Sequence, residues 1–117
     1  RQMLGGGWRQ AGIIAAAGIV GLSHYKDLAL DHEKAQTIAK GLKKLGFEID
    51  MQQVQTNVIR VGTAPVGKTA TEFCAAMEAN GVKVKPIGKA HIRIICHKDL
   101  HIEDISTVLS AAERSVR

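Results

Sequence analysis

Aromatic residues are scarce in this chain: Trp8, Tyr25, Phe47 and Phe73 are the only four among 117 residues. None of them forms the stacking platform on which single-stranded nucleic acids are held. The formal net charge of +5 therefore points less to nucleic acid than to an anionic cofactor or an acidic complement elsewhere in a larger protein. Cysteine is scarcer still. Cys74 and Cys96 are the only two, and they lack the C-x-x-C spacing of a zinc or redox motif. Two thiols with no visible secretory leader are expected in a reducing cytosol, each as a buried, inert side chain. No apolar run is long. Residues 11–22 are the best candidate, yet they fall short of the roughly 20 residues needed to span a bilayer, and Gly12, Gly18 and Gly21 interrupt them. Membrane insertion is not expected. A helix that is apolar all round and rich in small residues suits a protein core or a subunit interface.

What is present is enough for one small folded domain. Apolar residues make up 45% and charged residues 23% of the chain, a globular balance. The chain opens at Arg1, without an initiator Met, almost directly on a glycine-rich loop. This leads us to expect a fragment of a longer protein. After the small-residue helix, Leu28, Ala35, Ile38, Ala39, Leu42 and Leu45 recur mainly at three- and four-residue steps. Lys34, Lys40, Lys43 and Lys44 occupy the other side, so an amphipathic surface helix is predicted, closed by Gly46. A strand is predicted over 55–61, a helix over 69–79, strands over 82–87 and 91–97, and a final helix over 102–116. Only Gly88-Lys89-Ala90 separates the last two strands, and so short a connection demands an antiparallel hairpin. The expected fold class is α+β: two N-terminal helices, then a strand-helix-hairpin-helix unit with helices on one face of a small sheet.

Three stretches carry possible chemistry. Gly5-Gly6-Gly7-Trp8-Arg9-Gln10 opens the small-residue helix. Its glycines allow close approach, and Arg9 offers a guanidinium to an anion at a helix N-terminus. A flexible entry into a buried helix would look the same. Gly62-Thr63-Ala64-Pro65-Val66-Gly67-Lys68-Thr69 matches the phosphate-loop pattern G-x-x-x-x-G-K-[ST] letter for letter. The hairpin downstream argues against the parallel sheet such a nucleotide site requires, and no strand ends in a magnesium-binding Asp. In His91-Ile92-Arg93-Ile94-Ile95-Cys96-His97, alternation puts Ile92, Ile94 and Cys96 on the packed face and Arg93 on the other. Arg93 could grip a carboxylate bidentately or pair with a surface acid, and the pattern alone leaves both open. His97 and His101 beside Cys96 hint at a metal, but Cys96 and His97 should face opposite ways, so no metal site is expected. His24 and His32 have no partner cluster in sequence and are expected at the surface.

Taken in order, Arg1-Gln2-Met3-Leu4-Gly5-Gly6-Gly7-Trp8-Arg9-Gln10-Ala11-Gly12-Ile13, Asp31-His32-Glu33-Lys34-Ala35, Gln55-Thr56-Asn57 and the strand around Arg93 resemble the low-specificity L-threonine aldolases. These are beta-eliminating lyases within the fold-type I pyridoxal-phosphate enzymes. The resemblance runs the length of the chain and implies the C-terminal part of such an enzyme. Residues 1–26 would end the large cofactor domain and supply an interface helix, and residues 27–117 would form the small domain. It implies a homo-oligomeric (dimer of dimers), cytoplasmic enzyme of threonine catabolism and glycine formation, bound to neither nucleic acid nor membrane. That enzyme would cleave L-threonine or L-allo-threonine to glycine and acetaldehyde with pyridoxal 5'-phosphate. Arg9, with Gly6 and Gly7, would bind the cofactor phosphate, with Arg9 reaching it across a subunit interface, and Arg93 would hold the substrate α-carboxylate. The family's Schiff-base lysine precedes the glycine motif. No lysine here stands in its context, Lys68 and Lys98 included, so no catalytic residue is expected in this piece and it should be inactive alone. Two positions depart from the family pattern: Gln2 replaces a usual Lys, and Trp8 stands where Met is common. The other readings are a non-catalytic dimerisation module built on the small-residue helix and a nucleotide binder acting through Gly62–Thr69.

Overall fold

The computed structural model describes residue 3 and residues 5–117. Helix α1 spans Ala11–Ser23, a single 3-10 turn follows at Tyr25–Asp27, and α2 runs from Leu28 to Lys44. The two helices meet at a 56° bend, and no single helix is long and apolar enough to cross a membrane. No residue of α1 is buried, so Ile13, Ile14, Ile19, Val20 and Leu22 all face outward. Leu28 and Leu30 are exposed as well. Among the described residues, burial begins only at Asp31.

From there the three- and four-residue spacing works as expected. Ala35, Ile38, Ala39 and Leu42 form the buried stripe of α2. Lys34 departs from the expectation of an outward cation. It is buried against Asp31, one turn earlier, with Nζ 2.9 Å from Oδ1. Gly46 (φ +93°) turns the chain out of the helix, and Phe47 and Ile49 enter the core on either side of Glu48.

The first strand, β1, is Val58–Gly62, starting later than the pattern predicted. Side chains hold the preceding residues in a turn instead. The Asp50 carboxylate accepts from the Gln52 N–H and from Gln53 Nε2, and Gln36 Nε2 on α2 donates to the Val54 carbonyl. A 3-10 turn over Ala64–Val66 leads to α3, Ala70–Ala79. Thr69 caps α3 reciprocally: the Glu72 N–H donates to its hydroxyl, and the Thr69 N–H and hydroxyl both donate to the Glu72 carboxylate. The hairpin is present, with β2 reduced to Lys85–Pro86 and β3 at His91–Ile95. Pro86 has no N–H to give a ladder, which confines this strand to the sheet edge. Helix α4, Asp104–Val116, closes the chain.

The sheet order is β1-β3-β2, antiparallel throughout. Ile59, Val61, Ile92 and Ile94 turn one face into a core shared with α2, α3 and α4, centred on Phe73, Met77 and Ile38. The expected α+β layer is what the chain adopts. The opposite sheet face is covered by none of these helices, and it carries Val58, Arg60, Arg93 and Ile95 as exposed side chains.

Candidate functional site

Arg93 sits mid-strand on the open face of the central strand, between the buried Ile92 and Ile94. Two segments far away in sequence fix the end of that strand. The Cys96 N–H donates to the Asn57 carbonyl at 2.8 Å, and Asn57 Nδ2 donates back to the Cys96 carbonyl at 2.7 Å. Lys34 Nζ, held by Asp31, reaches the His97 carbonyl at 3.4 Å. The Asp31–Lys34 and Asn57 motifs thus meet at the same two residues and lock the register that turns Arg93 outward. A buried ion pair justifies its desolvation only when further hydrogen bonds satisfy it, and the His97 carbonyl supplies one here.

Burial pushes the Cys96 thiol above its ordinary range; the Asp31 charge adds to the rise and Lys34 offsets part of it. Burial also raises the half-buried Cys74. Both therefore remain thiols at neutral pH, as inert cysteines do. Cys96 faces the core while His97 is exposed, and among the described residues no three His, Cys, Asp or Glu side chains gather as metal ligands.

The register shows what alternation could not. Arg60 on β1 lies directly opposite Arg93 on β3, and Lys85 on β2 flanks Arg93 from the other side. Arg60 is thus a candidate the sequence reading missed. Its signal was the same as for Arg93, a cation flanked by apolar strand residues. Beside Arg60 lies an open groove of about 450 Å³ that includes Glu48, Asp50, Gly62 and His91.

Arg9, Gly6 and Gly7 belong to a second region. Residues 5–7 form a turn, Gly5 adopts a left-handed φ of +77°, and Arg9 is exposed just ahead of α1. Gln10 caps that helix without a side-chain hydrogen bond, and no acid stands in its first turn. A cation at a helix start free of carboxylates fits an anionic group such as a phosphate. Gln2 lies outside the described residues. Helix α1 is about 20 Å long at the usual rise per residue. None of its residues is buried, and among the described residues its main packing is on the short turn that follows it. Neither of the two grooves beside the sheet, one lined by Arg60 and the other by Arg93, includes Arg9.

The Gly62–Thr69 loop is not shaped to cradle phosphate. The N–H groups of Val66, Gly67 and Lys68 donate to carbonyls of Thr63 and Ala64, and that of Ala70 to Lys89. Thr69 is spent on Glu72, whose carboxyl is held below its usual range by the Thr69 backbone bond first and the hydroxyl bond second. The donors a phosphate would need are used internally, and a carboxylate stands at the helix start.

Comparison with known proteins gives the site a context. The sequence profile described as "Beta-eliminating lyase" matches residues 1–64. The chain is 37% identical to "Probable low-specificity L-threonine aldolase 2" of Arabidopsis thaliana, across 97% of this chain and 33% of that protein. It is 31% identical to "Low-specificity L-threonine aldolase 1" of the same plant, over 99% of this chain and 33% of that protein. To "Low specificity L-threonine aldolase" of Escherichia coli (strain K12) it is 33% identical, over 92% of this chain and 31% of that protein. The chain spans about a third of the length of these relatives.

Proposed function

Because the chain belongs to the beta-eliminating lyase family, we propose that it is the C-terminal part of a pyridoxal-phosphate aldolase that cleaves L-threonine or L-allo-threonine to glycine and acetaldehyde. The observation that carries this reading is Arg93, held outward at mid-strand by the Asn57 and Lys34 contacts on Cys96 and His97. In that role its guanidinium fork would grip the substrate α-carboxylate and orient the amino acid. Arg9, with the turn at Gly6 and Gly7, would hold the cofactor phosphate. The cofactor, when bound, supplies the electron sink for breaking the Cα–Cβ bond.

The division of labour within the chain supports the same reading. Residues 27–117 contain every buried residue among those described, as a small domain should. Residues 1–26 contribute α1, whose exposed Ile13, Ile14, Ile19, Val20 and Leu22 suit an interface with the large domain or a neighbouring subunit. A dimerisation role for α1 is then part of the enzyme and not a rival to it.

The test is a turnover assay. The protein carrying this chain is expected to release glycine and acetaldehyde in equal amounts from threonine, only with pyridoxal phosphate, whereas these 117 residues alone release neither. Arg9→Ala is expected to weaken cofactor binding by roughly tenfold or more, the loss of a charge-assisted hydrogen bond. Cleavage without the cofactor, or cofactor affinity indifferent to Arg9, would contradict the reading.

A further inference from the structure

Arg60 and Arg93 are not merely neighbours. The Cys96–Asn57 hydrogen bond makes residues 57 and 96 a hydrogen-bonded pair of the antiparallel ladder. Counting along the register, 59 with 94 and 61 with 92 are hydrogen-bonded pairs as well, so Arg60 and Arg93 form a non-hydrogen-bonded pair. Such pairs bring the Cα atoms to about 4.5 Å and the side chains closer than any other pair in a ladder. Like charges directly opposite repel, and sheets usually relieve them with an acid. Here Glu48 and Asp50 line the groove beside Arg60, but among the described residues no acid pairs with either arginine. Among the described residues, neither guanidinium has a hydrogen bond or an ion pair, and Val58, Ile95, Gly62 and His91 are the next cross-strand pairs on the same face. The nearest acid in the register is Glu48, which pairs with Gly62, and its carboxylate stands over that glycine and not on Arg60. On the far side Lys85 adds a third positive charge to the row.

We propose that Arg60 and Arg93 form a double-guanidinium subsite that takes a small dicarboxylate, one carboxylate on each fork. The proposal rests on the reading of Arg93 as a carboxylate-binding residue and extends it: the site accepts a ligand bearing a second acid beside the amino-acid carboxylate. A monocarboxylate fills one fork and leaves the other charge uncompensated. A dianion relieves the repulsion between both.

Malonate is the probe, with acetate as the comparison at matched ionic strength, and the readout is the melting temperature of the whole protein, which rises with ligand bound to the native state. Malonate is expected to raise the melting temperature well above the effect of acetate. Arg60→Gln is expected to weaken malonate affinity by roughly tenfold or more, the loss of one charge-assisted pair, while leaving the acetate response in place. Arg60 is exposed, so the variant should melt near the parent in the absence of anions. Equal responses to malonate and acetate, or malonate affinity unchanged by Arg60→Gln, would overturn the proposal. The readout needs no turnover. Malonate binding through Arg60 in a protein that does not cleave threonine would refute the aldolase reading alone, and normal cleavage with malonate indifferent to Arg60 would refute this one alone.

Discussion

Replacing Arg93 with alanine in the protein that carries this chain is expected to raise the Michaelis constant for L-threonine by roughly a hundredfold. A bidentate guanidinium–carboxylate contact comprises two charge-assisted hydrogen bonds, and its loss costs about 3 kcal/mol, which is that factor in binding. If the contact serves substrate and transition state alike, the Michaelis constant carries the whole effect. If it also sets the angle at which the amino acid meets the cofactor, kcat falls too. Arg93→Lys should recover little, because an ammonium keeps the charge and loses the planar fork. The side chain is exposed and makes no ion pair among the described residues, so the melting temperature should stay nearly constant. An unchanged Michaelis constant would remove Arg93 from the substrate site.

Phe73→Ala is expected to have the largest effect on stability, about 4 kcal/mol, the usual cost of emptying a buried aromatic position. Phe73 is fully buried and meets Phe47 edge to face, with ring centroids 4.9 Å apart. The chain has only these two phenylalanines, and much of its remaining core is alanine, valine and isoleucine. Small and β-branched side chains cannot swing into the space a ring leaves, so the cavity should persist. Denaturant titration should show a lower midpoint at an unchanged slope. A loss under about 1 kcal/mol would mean that the core collapses around the gap.

The parts of this fold that depend on local periodicity were legible in advance. The stripe Ala35, Ile38, Ala39 and Leu42 follows from helical spacing, and the outward turn of Arg93 follows from alternation along its strand. The short Gly88-Lys89-Ala90 connection was enough to make the last two strands antiparallel. What stayed hidden was set by contacts distant in sequence. Asn57 and Cys96 are 39 residues apart, and their bonds decide that Arg60 faces Arg93. Lys34 reads as one surface lysine among several until the strand end at His97 covers it, 63 residues further on. Residues 55–57 lead directly into the strand-like run 58–61, yet the adjoining turn is organised by Asp50 and Gln36 and starts the strand late. Arg9, Gly6 and Gly7 lie in a loop as expected, ahead of a helix with no buried residue, and neither groove beside the sheet includes Arg9.

The central claim is that the open sheet face of this chain holds the carboxylate of an amino-acid substrate, and arginine footprinting addresses it with the side chain intact. The whole protein would be treated with phenylglyoxal in the presence and absence of saturating glycine, and adducts at each arginine counted by peptide mass spectrometry. Glycine is expected to slow modification of Arg93 at least tenfold while exposed arginines elsewhere, such as Arg117, react as before. Modification of Arg93 at the same rate with and without glycine would contradict the account.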